Sequence, residues 1–257
     1  MTTSTTAAYR AALLAETDAL ADLMRTADPA TPIPACPGWT LANLVTHVGR
    51  GHRWAAAMIT GRATEPLDFR AVPDGAMPKD PEGAARWLSD SARLVPNAVD
   101  AIGSDVPVWT PFGPPRPAEW WIRRRLHEAT VHRADVLLAL DREVTLRPDL
   151  AADGISEWLG LLSTARGNGT GAPLPDGVSM HLHATDPDLG SAGEWTVQSS
   201  GGAIVWNNGH AKSSVALRGT AVALLLVLLR RIPADDPRVE IFGDTSVFTR
   251  WLESTPF

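Results

Sequence analysis

The residues best suited to chemistry lie in one segment, residues 124–135. Glu128 and His132 are four positions apart, so on a helix their side chains would lie one turn apart on the same side. Asp135 follows three positions later on the same stripe. A carboxylate and an imidazole in this arrangement can bind one metal ion, and catalytic metal sites commonly use three protein ligands and keep one position open. The same spacing also occurs in ordinary surface contacts of helices.

A third ligand would have to come from another helix. His47 has apolar neighbours on both sides, which would turn its imidazole inward, and helical bundles build metal sites from facing helices. Asp135 could then orient a ligand imidazole from behind. A lone histidine on an apolar helix is more often a hydrogen-bonded core residue, and this is the alternative interpretation of His47. His52 and His127 are competing candidates, although His127 would lie about 100° around the helix from Glu128.

The only cysteine, Cys36, lies in a Pro/Gly-rich segment just before a predicted helix. A thiol at such a position can be activated, but no base neighbours it in sequence, so we favour a structural role in a tight turn. One cysteine excludes an internal disulfide and fits a reducing compartment.

The net charge is −6 and no basic run exceeds three residues, which gives no electrostatic basis for binding nucleic acid or an anionic membrane. The longest apolar run, residues 221–229, is too short to cross a bilayer, and the N-terminal residues lack a signal-peptide pattern. We therefore expect a cytoplasmic protein.

The chain shows two regimes, separated by a Gly/Pro-rich segment at 166–177. Apolar periodicity predicts helices over residues 6–27, 40–60, 82–102, 118–140 and 149–164. Short alternating patterns predict strands at 178–184, 195–198, 203–206, 214–218 and 239–242, with helices at 221–231 and 245–252. The fold class is then α + α/β in two domains: a four-helix bundle over 1–165 and a small α+β domain with an antiparallel sheet over 175–257.

The order of these motifs resembles that of the mycothiol-dependent maleylpyruvate isomerase family. Residues 36–47, Cys-Pro-Gly-Trp-Thr-Leu-Ala-Asn-Leu-Val-Thr-His, resemble the second-helix signature of that family. Residues 128–135, Glu-Ala-Thr-Val-His-Arg-Ala-Asp, resemble its second metal motif. Residues 215–220 and the apolar helix after them resemble its C-terminal domain, which is similar to sterol-carrier folds. The resemblance covers nearly the whole chain, but the family contains many different activities.

The resemblance implies a DinB-like bundle that binds a divalent metal, with zinc the leading candidate, through His47, Glu128 and His132. It also implies an enzyme with mycothiol as cosubstrate and a small-molecule substrate. One reaction is cis–trans isomerisation of a maleylpyruvate-like diacid, in which a metal-bound thiolate adds to the alkene, the bond rotates and the thiol leaves. The other is transfer of mycothiol to an electrophile. An arginine of the C-terminal domain matters in the isomerase, and Arg231 or Arg230 matches it best by position.

Other functions remain open at this point. The chain could be a metal-dependent hydrolase that needs no thiol, or a non-enzymatic protein whose C-terminal domain binds an apolar ligand. Arg230 and Arg231 could serve only to complement the dipole of the helix that they follow. The sequence specifies neither the substrate nor the metal, and it leaves open whether the protein is a monomer or a homodimer.

Overall fold

The computed structural model describes residues 3–164 and 173–255, and the chain divides into two compact units, Met1–Val144 and Thr145–Phe257. The first unit is helical and the second combines helices with a sheet, so the predicted two-domain fold class is confirmed. Most of the segment expected to link the domains, 166–177, lies outside the described residues. Across the described ranges, no helix is both long and apolar enough to cross a membrane.

Four long helices build the first unit. They are α1 (Thr3–Thr26), α2 (Leu41–Thr60), α3 (Pro81–Ile102) and α4 (Trp120–Ala139). The start of α2 is fixed by a capping box, because the Thr40 hydroxyl accepts from the Asn43 amide and the Asn43 side chain accepts from the Thr40 amide. The side chain of Asp80 caps α3, and Pro81 occupies the first helical position. These caps explain why the predicted helix starts agree with the structure to within a few residues.

The helices pack around an apolar core, with α1 against α3 and α4, and α2 against α3. Core side chains include Leu20, Leu41, Leu44, Val45, Val48, Leu88, Ala129 and Val136. Gly49 of α2 lies directly against α3, where an added Cβ would overlap the indole ring of Trp87. Glycine at this position therefore sets how closely α2 and α3 can approach.

The helix α4 is buried although many of its residues are charged. Arg124, Arg125, His132 and Asp135 are all less than a tenth exposed. Buried charges are costly unless they are paired, so loss of one partner of a buried ion pair in α4 would destabilise the helix packing. The Pro-rich segment before it contains a short hairpin of β1 (Pro107–Val108) and β2 (Arg116–Pro117).

The second unit is a five-stranded sheet with three helices. Its elements are α5 (Pro148–Thr164), β3 (Ser179–Ala184), β4 (Glu194–Ser200), β5 (Ala203–Asn208), β6 (Val215–Gly219), α6 (Ala221–Leu228), β7 (Val239–Gly243) and α7 (Thr245–Ser254). The strand order is β5-β4-β3-β6-β7. The sequence predicted an antiparallel sheet, and one pair differs: β3 and β6 are parallel. The reason is that the chain returns from the edge strand β5 past β4 and β3, so β6 enters in the direction of β3.

The helix α5 packs within the second unit. The domain ranges predicted from the sequence had assigned it to the bundle, 1–165. It contacts α6 and β5, and its Ser156 Oγ accepts a 2.9 Å hydrogen bond from Trp195 Nε1 of β4. Its buried stripe, Ala151, Ile155 and Leu159, recurs every four residues. The division of the chain after Val144 falls before this helix.

Candidate metal centre

The structure brings together the three residues that the sequence singled out as metal ligands. His47 projects from α2, and Glu128 and His132 project from α4. The Nε2 atoms of His47 and His132 each lie 3.7 Å from Oε2 of Glu128, and the two imidazole centroids are 5.2 Å apart. One ligand atom from each residue lies within 4.8 Å of the other two. Two imidazoles and one carboxylate therefore converge on one point between two helices.

Asp135 lies behind His132, on the side away from Glu128. Its Oδ2 is 3.0 Å from Nδ1 of His132. When Nδ1–H donates to this carboxylate, the lone pair of Nε2 is directed towards Glu128. The thiol of Cys36 donates to the same Oδ2 across 3.9 Å, so Cys36 also lies behind the imidazole. Cys36, His132 and Asp135 form a second group whose ligand atoms lie within 4.8 Å of one another.

Two arginines that the sequence analysis missed hold Glu128 in place. Arg124 donates to Oε1 of Glu128, which leaves Oε2 facing the two imidazoles. The Nη1 atom of Arg125 lies 3.7 Å from that Oε2, and its guanidinium also donates to His52 Nδ1 and to the Val48 carbonyl, each at 3.2 Å. The spacing of four between Arg124 and Glu128 was a signal in the sequence, but it did not reveal that Arg124 is buried and that the Glu128 side chain is only 18% exposed.

These contacts keep Glu128 ionised. Burial alone would raise the pKa of Glu128, but several neighbours oppose it: the charge of Arg124, a hydrogen bond from His47, and the charges of Arg125 and His132. Together they hold the pKa of Glu128 well below its ordinary value. A carboxylate that stays charged near neutral pH is the form that binds a metal ion.

The charges around His132 favour a cation at this centre. Burial works to lower the pKa of His132, but hydrogen bonds to Asp135 and Cys36, together with the charges of Glu128 and Asp135, raise it to about 9. Two carboxylates flank the imidazole, and the field that favours an imidazolium also favours a bound divalent ion. Two nitrogen donors and one oxygen donor suit zinc and similar first-row metals, so the residues present fit such an ion.

The competing histidines lie outside this cluster. His52 is fully buried, with Thr17 Oγ1 3.4 Å from its Nε2 and Arg125 donating to its Nδ1. Burial, followed by the charge of Arg125, lowers the pKa of His52 well below its ordinary value, so it is a neutral core histidine. His127 is also buried, and no group of potential metal ligands in the described residues includes it.

Aromatic side chains border the centre beside His47, whose side chain is 37% exposed. The ring of Trp39 lies 5.1 Å from the His47 ring, and the ring of Phe69 lies 6.4 Å from it. Trp54 continues this border with centroid distances of 6.1 Å to Phe69 and 5.6 Å to Trp121. We call these four rings, Trp39, Trp54, Phe69 and Trp121, the aromatic wall.

The two C-terminal arginines lie in the second unit, in the turn that ends α6. The Arg230 amide donates to the Val227 carbonyl and the Arg231 amide donates to the Leu226 carbonyl, which together form a Schellman motif. Arg230 has φ of +58° in this motif, a conformation that usually selects glycine. Arg231 Nη1 donates to the Leu229 carbonyl at 2.7 Å, so this guanidinium does complement the helix end.

Both units match models of one protein family. Residues 10–137 match the family described as Mycothiol maleylpyruvate isomerase N-terminal domain, and residues 149–250 match the MDMPI C-terminal domain. The chain belongs to the mycothiol-dependent maleylpyruvate isomerase family, as its sequence motifs predicted. A search of curated proteins gave no match.

Two solved structures have the same fold over nearly their whole length. One is a mycothiol-dependent maleylpyruvate isomerase, with a TM-score of 0.61 and 14% identity over 94% of this chain and 95% of that chain. The other is a histidine-to-alanine mutant of a mycothiol-dependent maleylpyruvate isomerase, with a TM-score of 0.58, 14% identity and the same coverage. At this level of identity the likeness shows the fold, and the chemistry has to be argued from the site.

Proposed function

We propose that this protein is a metal-dependent enzyme that uses mycothiol as a nucleophilic cosubstrate, and that it catalyses cis–trans isomerisation of an unsaturated diacid like maleylpyruvate. The main support is the convergence of His47, Glu128 and His132 on one point, in a chain of this family. A cytoplasmic location belongs to the same proposal, because a single cysteine fits a reducing compartment.

His47, Glu128 and His132 would hold the metal, which we take to be zinc. A divalent ion with an open position supplies Lewis acidity and makes a thiol a stronger nucleophile at neutral pH by favouring its ionised form. Asp135 fixes which nitrogen of His132 faces the centre, and Arg124 holds the Glu128 carboxylate in one orientation. These two contacts orient two of the three ligands, His132 and Glu128.

The sulfur nucleophile has to come from a cosubstrate. Cys36 is the only cysteine, and its thiol points to Asp135, on the far side of His132 from Glu128. In isomerisation, a thiol would add to one alkene carbon, the resulting single bond would rotate, and elimination would release the same thiol and the trans alkene. The net reaction consumes no thiol. In the second candidate reaction, transfer to an electrophile, the sulfur stays on the product.

The remaining residues would bind and enclose the substrate. The aromatic wall, which lies beside the partly exposed imidazole of His47, would contact the uncharged part of the substrate. A dianionic substrate needs a fixed cation, because it would otherwise be repelled by a nearby thiolate, and a guanidinium binds carboxylates bidentately. We assign this role to Arg231 or Arg230 of the second unit.

The deciding experiment is an omission assay with maleylpyruvate and the full-length chain. The complete reaction contains the zinc-loaded protein and mycothiol, and separate reactions lack one of the two. We expect each omission to abolish isomerisation, and we expect His132→Ala to lower kcat/KM by about 10³-fold. Lys212→Ala, in a loop of the second unit, serves as the control and should keep full activity.

Each alternative function gives a different result. Turnover without mycothiol would indicate a hydrolase that uses water, and consumption of one thiol per product would indicate an S-transferase. Full isomerase activity after complete removal of the metal would contradict the proposal. Failure with several unsaturated diacids, despite normal metal content, would favour a binding protein.

A further inference from the structure

A second cluster of potential metal ligands lies within the C-terminal unit, on the sheet. His181 Nε2 lies 2.5 Å from Oε2 of Glu194, and His183 Nδ1 lies 2.6 Å from Oε1 of the same carboxylate. His210 Nδ1 lies 3.6 Å from Oε2, and its ring meets the ring of His181 edge to face at 4.6 Å. Three imidazoles therefore surround one carboxylate.

The geometry of the sheet fixes three of these residues. His181 and His183 are two positions apart on β3, so both side chains lie on the same face of the sheet. Glu194 begins β4 and pairs directly with His183 across the antiparallel ladder, which places its carboxylate on that face. The neighbouring residues Met180 and Leu182 point to the opposite, apolar face.

The loop that carries His210 is tied to the same place. Asn208 Nδ2 donates to the Glu194 carbonyl at 3.0 Å, and the Gly209 amide donates to the same carbonyl at 3.1 Å. Thr196 Oγ1 donates to the Gly209 carbonyl at 2.9 Å. Because these bonds hold the residues just before His210, its imidazole is restricted to the neighbourhood of Glu194 although its side chain is 76% exposed.

The negative charge of Glu194 would also favour a bound cation at this cluster. Glu194 is only partly exposed, and in the part of the chain that the structure describes no lysine or arginine pairs with it. A structural role would be satisfied by one histidine on each carboxylate oxygen, which His181 and His183 already provide. The third imidazole, from His210, goes beyond that need.

We propose that His181, Glu194 and His210 bind a second divalent metal ion, with His183 orienting the carboxylate through its other oxygen. One ligand atom from each of the three residues lies within 4.8 Å of the other two. In a tetrahedral zinc site the ligand atoms are about 3.4 Å apart, and the distances of 2.5 and 3.6 Å from Glu194 Oε2 bracket this value.

The donor set defines the class of metal. Two nitrogen atoms and one oxygen atom suit Zn²⁺ and the first-row transition metals, whereas Mg²⁺ and Ca²⁺ prefer oxygen ligands only. Three protein ligands leave a position open for water or a small ligand. A bound ion would also fasten the loop after β5 to the start of β4.

Metal counting in the full-length chain tests this site separately from the bundle. The protein is stripped with a chelator, equilibrated at about 1 µM free Zn²⁺, and analysed for metal and protein. We expect about two ions in wild type, about one in His132→Ala and about one in His210→Ala, and almost none in the double variant. Lys212→Ala, in the same loop as His210, is the control and should keep both ions.

Two results would overturn the second site: wild type with one ion and His132→Ala with none, or His210→Ala with two. His210 is exposed, so its replacement should leave the sheet intact, and circular dichroism checks this. As an independent measurement, Co²⁺ bound to the His132→Ala variant should give a visible absorption band. The band should be absent from the variant that carries both His132→Ala and Glu194→Gln. A band that survives Glu194→Gln would also contradict the assignment. Neither measurement depends on the proposed isomerase activity.

Discussion

At the scale of single residues, the contact between Asp135 and His132 sets which imidazole nitrogen is available at the candidate metal centre. We predict that Asp135→Asn lowers the Zn²⁺ affinity of the bundle site about 10- to 100-fold, because an amide is a weaker acceptor and no longer fixes the tautomer. Competition with a chromophoric chelator measures this affinity. Asp141→Asn, at an exposed position after α4, is the control, and an equal loss in both variants would contradict a positioning role for Asp135.

Cys36 lies close to the centre without facing it. Since its thiol donates to Asp135 and the proposed nucleophile is a cosubstrate, we predict that Cys36→Ser keeps kcat/KM within about threefold of wild type. Steady-state kinetics at saturating mycothiol measures the effect. A loss of about 10³-fold with unchanged folding and metal content would instead make Cys36 a nucleophile of the reaction.

At the scale of secondary-structure elements, the close approach of α2 and α3 depends on Gly49. We predict that Gly49→Ala lowers the free energy of unfolding by about 1–3 kcal/mol, because the new methyl group would overlap the ring of Trp87. Urea unfolding measures the change. Gly160→Ala in α5 is the control: nothing lies within 4 Å of its added Cβ, so it should be neutral or stabilise slightly.

A substitution in the turn that ends α6 should affect stability and catalysis in opposite directions. Arg230 adopts a left-handed conformation where glycine is preferred, so Arg230→Gly should stabilise the protein by about 1 kcal/mol. Asp141→Gly is a matched control, because Asp141 has φ of +52° in the equivalent motif after α4. If Arg230 anchors the substrate, Arg230→Gly should also lower kcat/KM, and Asp141→Gly should not.

Kinetics on both arginines decides the proposed anchor. We expect Arg230→Gly or Arg231→Ala to lower kcat/KM by more than about threefold, which corresponds to roughly 0.7 kcal/mol. If both variants stay within threefold of wild type, neither arginine binds the substrate. The contact of Arg231 with the Leu229 carbonyl at the end of α6 would then be a structural one.

Local sequence signals predicted most elements of this fold. Helix periodicity and the alternating pattern around His181 gave positions that the structure reproduces to within a few residues. The parallel pairing of β3 and β6 could not be predicted, because strand order depends on how distant segments meet. For the same reason, the apolar stripe of α5 predicted a buried face but not the unit that buries it.

The same limit applies to the candidate site. The spacing of Glu128 and His132 follows from the helix repeat. The apolar neighbours of His47 made it a candidate for the third ligand, and the family resemblance then favoured it. The residues that set the charge of the site were harder to predict from the sequence. The burial of Arg125 and its hydrogen bond to His52 both depend on the packing of α2 against α4, which local sequence patterns do not specify.

At the scale of the whole molecule, the division into two units predicts which residues a core substitution destabilises. Ile155 of α5 is fully buried, so Ile155→Ala should cost about 2–5 kcal/mol. We expect faster amide hydrogen exchange in α5, α6 and the sheet, with little change in the four bundle helices. Ile59→Ala in α2 is the mirror experiment and should affect the bundle. Uniformly faster exchange in either variant would indicate a single cooperative unit.

The buried ion pairs of α4 have a consequence for the response of the protein to salt. Exposed pairs such as Arg25 with Glu82 are screened at physiological ionic strength, where the Debye length is about 8 Å. The pair of Arg124 with Glu128 is largely shielded from mobile ions, and so is that of Arg133 with Glu16. Added salt should therefore leave the field at the candidate centre nearly unchanged. A salt dependence of kcat/KM would report the capture of a charged substrate rather than a change at the metal ligands.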